Sequence, residues 1–351
     1  MSNHGKRWQH EGRRRAKRLL PRLEMLEHRV VLSTFTVNTT LDTVAANLQT
    51  GKDASGHVSL RSAIMAADAR GGSNKIVVPA GTFTLSIAPT GNDDVTSGDL
   101  NITGNLTITG KGVGKTIIDG NNLDRVFDIE SGKVTMTGMT IQHGRVTGGG
   151  GGILNNGGQL SLSSVMVANN VAVGGTGLFG NGIGGAGGKS LGGGIFNEAG
   201  SLTLTKATIT SNQAIGGNGA NGGVIIFVEP AVVSDQNGGA VVGNNGFDAG
   251  QGSAGEGGGI FNAAGATVSL NGATITSNQA IGGKGGAGTV GFDATGGAGA
   301  AGGNATGGNG GNGTQANRGG IGGEGVGGAG GRGGNGGAGD GGGIFNGGGA
   351  T

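Results

Sequence analysis

Four segments of this chain align on one another without a gap, and that periodicity constrains the fold more than any other feature. They span 134–149, 160–175, 202–217 and 268–283; the last two read LTLTKATITSNQAIGG and VSLNGATITSNQAIGG. A second motif alternates with them: GGGILN at 150–155, then GGGIFN at 192–197, 257–262 and 341–346. Self-similarity of this kind is the signature of an array in which each unit is covered by its neighbours.

Unit length and texture choose the array. The unit free of insertion runs from 150 to 175, 26 residues. It holds short runs with alternating side chains, such as Leu202-Thr203-Leu204-Thr205 and Ala207-Thr208-Ile209-Thr210, in which residues two apart share a face. Helical repeats would space apolar residues by three and four and would avoid Gly and Thr. A propeller blade needs roughly 40 residues or more and aromatic markers. The expected fold is therefore all-β, a parallel β-helix (a solenoid) with one unit per coil. Aligned aliphatics would stack inside it: Ile141, Val167, Ile209 and Ile275 in one column, Val134, Leu160, Leu202 and Val268 in another.

Polar and aromatic positions follow the same period. Asn155, Asn197, Asn262 and Asn346 close the glycine motif; Asn170, Asn212 and Asn278 follow the second strand; Phe196, Phe261 and Phe345 form a column. Asparagine tolerates the left-handed backbone of a sharp corner and can hydrogen-bond along a stack. Because the spacing tracks the unit, we read these residues as structural ladders rather than as a ligand platform.

Glycine needs separate treatment, since 90 of the 351 residues are Gly. Collagen is excluded by 4 Pro and the lack of a triplet period. Much of the glycine fills inserts of 16, 39 and 57 residues at 176–191, 218–256 and 284–340, all leaving the same corner of the unit. Insertions at one point of a repeat map to one face, often the binding face. The inserts, which resemble the arrays of glycine-rich mycobacterial surface proteins, are either disordered bristles or closely packed chains freed of side chains, as polyglycine can be.

Charge divides the chain. Residues 1–29 carry a balance of +6, and the remainder a balance of −4. A basic terminus can meet nucleic acid or an anionic membrane, but the position of Arg13-Arg14-Arg15-Ala16-Lys17-Arg18 suits targeting at least as well, and no nucleic-acid partner is expected. Val30-Val31-Leu32 is too short for a secretory apolar core, and no run approaches a spanning helix. With 0 Cys, disulfides, thiolate metal sites and cysteine nucleophiles are excluded.

Between leader and array, residues 34–133 read as strands and one helix. Thr34-Phe35-Thr36-Val37, Ile76-Val77-Val78 and Thr82-Phe83-Thr84-Leu85 are strands, and residues 59–69 are a helix capped by Ser59 and ended by Gly71-Gly72.

Three resemblances attach to these stretches. Residues 17–33, with an Arg/Lys block, "RLE-x-LE-x-R" and a closing "VVLS", resemble the LEPR-XLL leader of large bacterial surface proteins, which implies export. Residues 58–86, VSLRSAIMAADARGGSNKIVVPAGTFTLS, resemble the CSLREA domain that caps bacterial surface β-helices, with Val58 and Ser62 where that family has Cys and Glu. The GGGIFN units are similar to polymorphic outer-membrane proteins, which implies a right-handed coil and a surface role, commonly adhesion. The chain stops at Thr351 just after a unit opens, which reads as a truncated frame or fragment.

Candidate chemistry is sparse. Gly110–Thr116 suggests a phosphate loop, but Thr109 stands where the motif needs Gly, and Ile117-Ile118 reads as a strand. Asp235, Asp248, Asp293 and Asp340 lie in the inserts without the period of a calcium repeat. The carboxylates Asp93, Asp94, Asp99, Asp119, Asp124 and Asp128, with His143, are the only cluster suited to a glycan-cleaving β-helix enzyme, whose acids must converge. Asp119, Asp124 and Asp128 fall within one coil and are its candidate catalytic residues. After 145 the charges stand singly, at Lys189, Glu198, Lys206 and Glu256. The favoured expectation is a non-catalytic cell-surface or extracellular protein, with no cofactor or metal, meeting a surface glycan or protein. A β-helix polysaccharide lyase or glycoside hydrolase is the alternative.

Overall fold

The computed structural model describes residue 1 and residues 33–91, 93–180, 183–222, 247–289 and 332–350. The leader, with Asp235, Asp293 and the middles of the two longer inserts, lies outside them. Among the described residues there are 24 strands and one helix, and no helix is long and apolar enough to cross a membrane.

The helix, Leu60–Arg70, begins where a local signal starts it. Ser59 is its N-cap: the Ser59 side chain accepts from the Ser62 N–H, and the Ser62 side chain accepts from the Ser59 N–H. This reciprocal pair fills two of the donors a helix start leaves open. Gly71, with φ 65°, ends it, a backbone state in which a side chain would be strained. Its face of Leu60, Ala63, Ile64 and Ala67 enters the apolar core.

Among the described residues the strands pair in parallel, except Phe179–Gly180 with Ile183–Gly184, which is antiparallel. Lys133–Gln142 takes Asn105–Thr109 and Thr116–Asp119 on one side and Ile153–Ala168 on the other. Ile153–Ala168 then pairs Ile195–Thr205 and Thr208–Thr210. Those pair Ile260–Asn262, Thr267–Asn271 and Thr274–Thr276, and Ile260–Asn262 pairs Ile344–Asn346. A separate parallel sheet joins Arg145–Thr147, Val171–Val173, Gln213–Ile215 and Gln279–Ile281. The aligned segments thus lie beside one another position by position. Val134, Leu160, Leu202 and Val268 are successive partners, as are Ile141, Val167, Ile209 and Ile275. Because alternate residues face opposite ways, this register fills one interior with aliphatics. It is fully buried as far as Ile209 and Leu204, and only partly at Val268 and Ile275.

Corners recur at fixed positions of each unit. His143, Asn169, Ser211 and Ser277 all have φ between 54° and 57°, and Gly138, Ser164, Lys206 and Gly272 form a second set between 50° and 65°. The left-handed residue is therefore the one before Asn170, Asn212 and Asn278. The expectation that these asparagines themselves supply the corner is corrected, since none of the three has positive φ.

The described parts of the inserts are packed chains. Gly216, Gly219 and Gly222 donate their N–H groups to Ile281, Lys284 and Ala287 carbonyls, while Gly217 and Ala220 donate to Gly188 and Gly185. Gly250 and Ser253 donate to Ala220 and Gly217; Gly283 and Gly286 to Ser253 and Gly250; Gly337 and Gly334 to Gly283 and Gly286. Each segment uses every third residue toward a given neighbour, the period of an extended threefold chain. A Cβ on Gly217 would stand 2.0 Å from the Gly175 carbonyl oxygen, and one on Gly250 1.8 Å from that of Gly185. Of the two expectations for the inserts, the described stems are the packed one.

Candidate functional site

The three carboxylates chosen from sequence do not form one site. Asp119 ends the strand Thr116–Asp119, where its Oδ2 accepts from Gln142 Nε2 at 2.9 Å and lies 2.9 Å from His143 Nδ1. Burial acts to raise its pKa, but hydrogen bonds from Gln142, the Asn121 N–H and His143 outweigh it and hold the carboxyl below its ordinary value. His143, grouped with the carboxylates in sequence, is half-exposed and held by this contact.

Asp128 belongs to a different group. One carboxylate oxygen from each of Asp93, Asp99 and Asp128 lies within 4.8 Å of the others. The local reason is alternation. In Leu100–Ile102 and Phe127–Ile129, Leu100, Ile102, Phe127 and Ile129 point into the core. Asp99, Asn101, Asp128 and Glu130 therefore share the opposite face. Asn101 and Asp128 are direct partners across the ladder. The loop preceding Leu100 brings in Asp93, whose Oδ1 accepts from Asn101 Nδ2 at 3.0 Å; the same amide reaches Glu130 Oε1 at 3.3 Å. Asp93 is exposed, whereas Asp99 and Asp128 are 4% and 2% exposed.

Two arginines that the sequence reading did not single out organise this region. Arg125 Nη1 donates to Asp128 Oδ2 at 3.1 Å, and its Nε stands 3.2 Å from Asp99 Oδ2 without hydrogen-bond alignment. Arg61, fully buried on the helix, forms a two-point pair with Asp42 at 2.7 and 3.1 Å and donates to the carbonyls of Val95, Gly98 and Asp99 at 2.7–2.9 Å. It thereby fixes the loop that carries Asp99. Asp124 lies at the edge of the site, where its Oδ2 would be 2.6 Å from a Cβ on Gly98.

The electrostatics are those of crowded carboxylates in a poorly solvated place. Burial pushes Asp99 up to about 7, against the pull of Arg125 and with the neighbouring Asp124, Asp128 and Asp93 charges adding to the rise. Burial likewise lifts Asp128 to about 6 despite Arg125.

The aligned asparagines occupy two hydrogen-bonded rows. Asn155 Nδ2 donates to Asn197 Oδ1 at 2.7 Å, Asn197 Nδ2 to Asn262 Oδ1 at 2.7 Å, and Asn262 Nδ2 to Asn346 Oδ1 at 3.2 Å. In the second row Asn170 Nδ2 donates to Asn212 Oδ1 at 3.0 Å and Asn212 Nδ2 to Asn278 Oδ1 at 2.9 Å. The Nδ2 groups of Asn170, Asn212 and Asn278 also reach back to the carbonyls of Ile141, Val167 and Ile209. The third glycine of the first three motifs makes room for this row: a Cβ on Gly152 would be 2.8 Å from Asn170 Nδ2, and Gly194 and Gly259 stand likewise against Asn212 and Asn278. Phe196, Phe261 and Phe345 stand 5.3 Å apart centre to centre, the first pair edge-on and the second stacked.

Elsewhere, the loop at Gly110–Thr116 is a turn into the strand Thr116–Asp119, with Thr116 Oγ1 donating to the Pro79 carbonyl. Lys189 and Glu256, which looked isolated in sequence, form an ion pair at 2.6 Å. The chain matches no family model, no curated protein and no solved structure.

Proposed function

We propose that this chain is a right-handed parallel β-helix, a solenoid of stacked coils with a helical N-terminal cap, and that it acts without catalysis at the cell surface or outside the cell. One observation carries this reading. The polar and aromatic residues that recur with the unit are engaged along the stack, Asn to Asn and Phe to Phe. Side chains consumed in this way build length. The surface that varies from unit to unit is the glycine-rich bundle, which makes it the face for adhesion or for envelope packing, with a surface glycan or protein as partner. The leader-like and cap-like resemblances support export.

The test is labelling of intact cells with an antibody against 247–289. Signal before lysis is expected; signal only after lysis would sink the surface assignment.

The glycan-cleaving alternative is favoured by one feature, carboxyls held near 6 and 7 beside one another, as acid–base catalysis uses. Burial weighs against it, because a catalytic acid must touch substrate and Asp99 and Asp128 are almost wholly covered. Asp128→Ala and Asp124→Ala, assayed on a polysaccharide panel, separate the readings. Turnover abolished by these changes would overturn the non-catalytic one.

A further inference from the structure

We infer that Asp93, Asp99 and Asp128, together with the Asn101 side-chain oxygen, form a binding site for one hard divalent cation of the calcium type. Two independent features point to a positively charged guest. The first is the convergence of three carboxylate oxygens within 4.8 Å. The second is Asn101, which is 2% exposed and whose Oδ1 has no hydrogen-bond partner although its Nδ2 is tied to Asp93 and Glu130. The orientation of that amide is set by those bonds: turned over, its oxygen would face two carboxylates. Asp128 Oδ1 is a second buried acceptor without a donor.

The arrangement of the neighbours agrees with a cation between these oxygens. Arg125 meets Asp99 and Asp128 through the Oδ2 atom of each, which leaves Asp128 Oδ1 on the other side of the carboxylate. Arg61, the other cation nearby, is spent on Asp42 and three carbonyls. Arg125 thus meets only Asp99 and Asp128 of this group among the described contacts, while Asp93 and Glu130 share the Asn101 amide. All the available ligand atoms are oxygens, three of them from carboxyl groups, which suits calcium or magnesium over softer metals. Four protein oxygens, with water entering beside exposed Asp93, fit the loose six-to-eight-fold shell of calcium better than the strict octahedron of magnesium. A bound ion would tie the loop holding Asp93 to two adjacent strands.

The test uses the full chain stripped with chelator. Calorimetric titration with calcium chloride, and thermal unfolding with and without calcium, are expected to show one ion per chain and a raised melting midpoint, with a dissociation constant of about 10⁻⁴ M. Asp93→Asn is the informative variant, because this exposed side chain can change without disturbing the core; it should weaken calcium binding by roughly tenfold or more. Asn101→Ala should weaken it too, while Asp119→Asn should leave it unchanged. Magnesium in place of calcium should bind more weakly. The inference is overturned if millimolar calcium neither binds nor shifts the wild-type midpoint, which is what a proton shared between Asp128 and Asn101 would give. It is equally overturned if Asp93→Asn binds calcium as the wild type does.

Discussion

At the scale of single residues, the period of the chain is written twice, in side chains that bond along the stack and in backbone that turns its corners. Asn197 shows the first. It is fully buried, accepts from Asn155, and donates to Asn262 and to the Thr267 carbonyl. Replacing it by Ala strands partners on both sides, since a buried group left without its bond costs about 1–3 kcal/mol. Asn197→Ala is therefore expected to lower unfolding free energy by about 2 kcal/mol in denaturant titration, and a neutral result would mean that water replaces the row. Ser211 shows the second. With φ 56° it occupies a state that β-branched residues reach only under strain, about 1–2 kcal/mol. Ser211→Ile should be destabilising by that amount and Ser211→Gly should not, although both substitutions alter the same exposed corner.

Asp68 adds a pH dependence. Burial lifts its pKa from 3.8 to about 6, with the Glu130 charge adding to the rise and Thr103 and Gly104 hydrogen bonds opposing it. The folded state thus binds the proton more tightly than the unfolded state, so stability contributed by protonated Asp68 is full below about pH 4 and is lost as pH rises toward 6. Asp68→Asn should flatten that part of the stability profile and stabilise the protein at pH 7, as read from thermal midpoints across the range. A wild-type slope retained in the variant would remove Asp68 as its source.

At the scale of elements, glycine has two distinct duties. In the Gly-Gly-Gly-Ile-Phe-Asn motif the first glycine turns the chain, with φ 63° at Gly192 and 64° at Gly257. The third clears space for the asparagine row. In the inserts, glycine permits lateral backbone bonding at a spacing that any side chain would block. A Cβ on Gly217 or Gly250 meets a carbonyl oxygen at 2.0 Å or less, far inside contact distance. Gly217→Ala should therefore open the bundle while leaving the aliphatic interior folded. Hydrogen exchange at 216–222 and 247–253 should be slow in the wild type and fast in the variant, with protection in Ile195–Thr205 unchanged. Uniformly fast exchange in the wild type would mean that these stems are not a packed unit in solution.

At the scale of the whole molecule, Arg61 joins three parts of the chain that are distant in sequence: the helix, the Asp42 loop and the 95–99 loop. Both partners of its ion pair are buried, at 0% and 2% side-chain exposure. Removing one member leaves an uncompensated charge, which costs about 3–5 kcal/mol. Arg61→Ala should lower unfolding free energy by about that much and release the loop that carries Asp99. A cost below about 1 kcal/mol would show that Asp42 is rescued by solvent.

How much of this was legible depended on whether the information is local or periodic. The Ser59 cap, the strand alternation, the paired columns and both asparagine rows could be placed from spacing alone, because a repeating unit brings equivalent residues together by its own period. The site is different. Asp119, Asp124 and Asp128 are near in sequence, yet only Asp128 places an oxygen in the converging acidic group, with Asp124 at its edge, since its companions are Asn101 from the strand Leu100–Ile102 and Asp99 and Asp93 from the loop before it. The alternation Asp99-Leu100-Asn101-Ile102 beside Phe127-Asp128-Ile129-Glu130 was the available signal, but it becomes a face only once the pairing of Asn101 with Asp128 is known. The sequence by itself determined the unit and the identity of its inward residues, because these follow from repetition and strand alternation, whereas which residue turns each corner was read from the backbone at Asn169, Ser211 and Ser277. Only the tertiary structure decided which carboxylates meet, which glycine segments bond to which, and where Arg61 ends, because those contacts depend on register between segments tens of residues apart and on the burial that register creates.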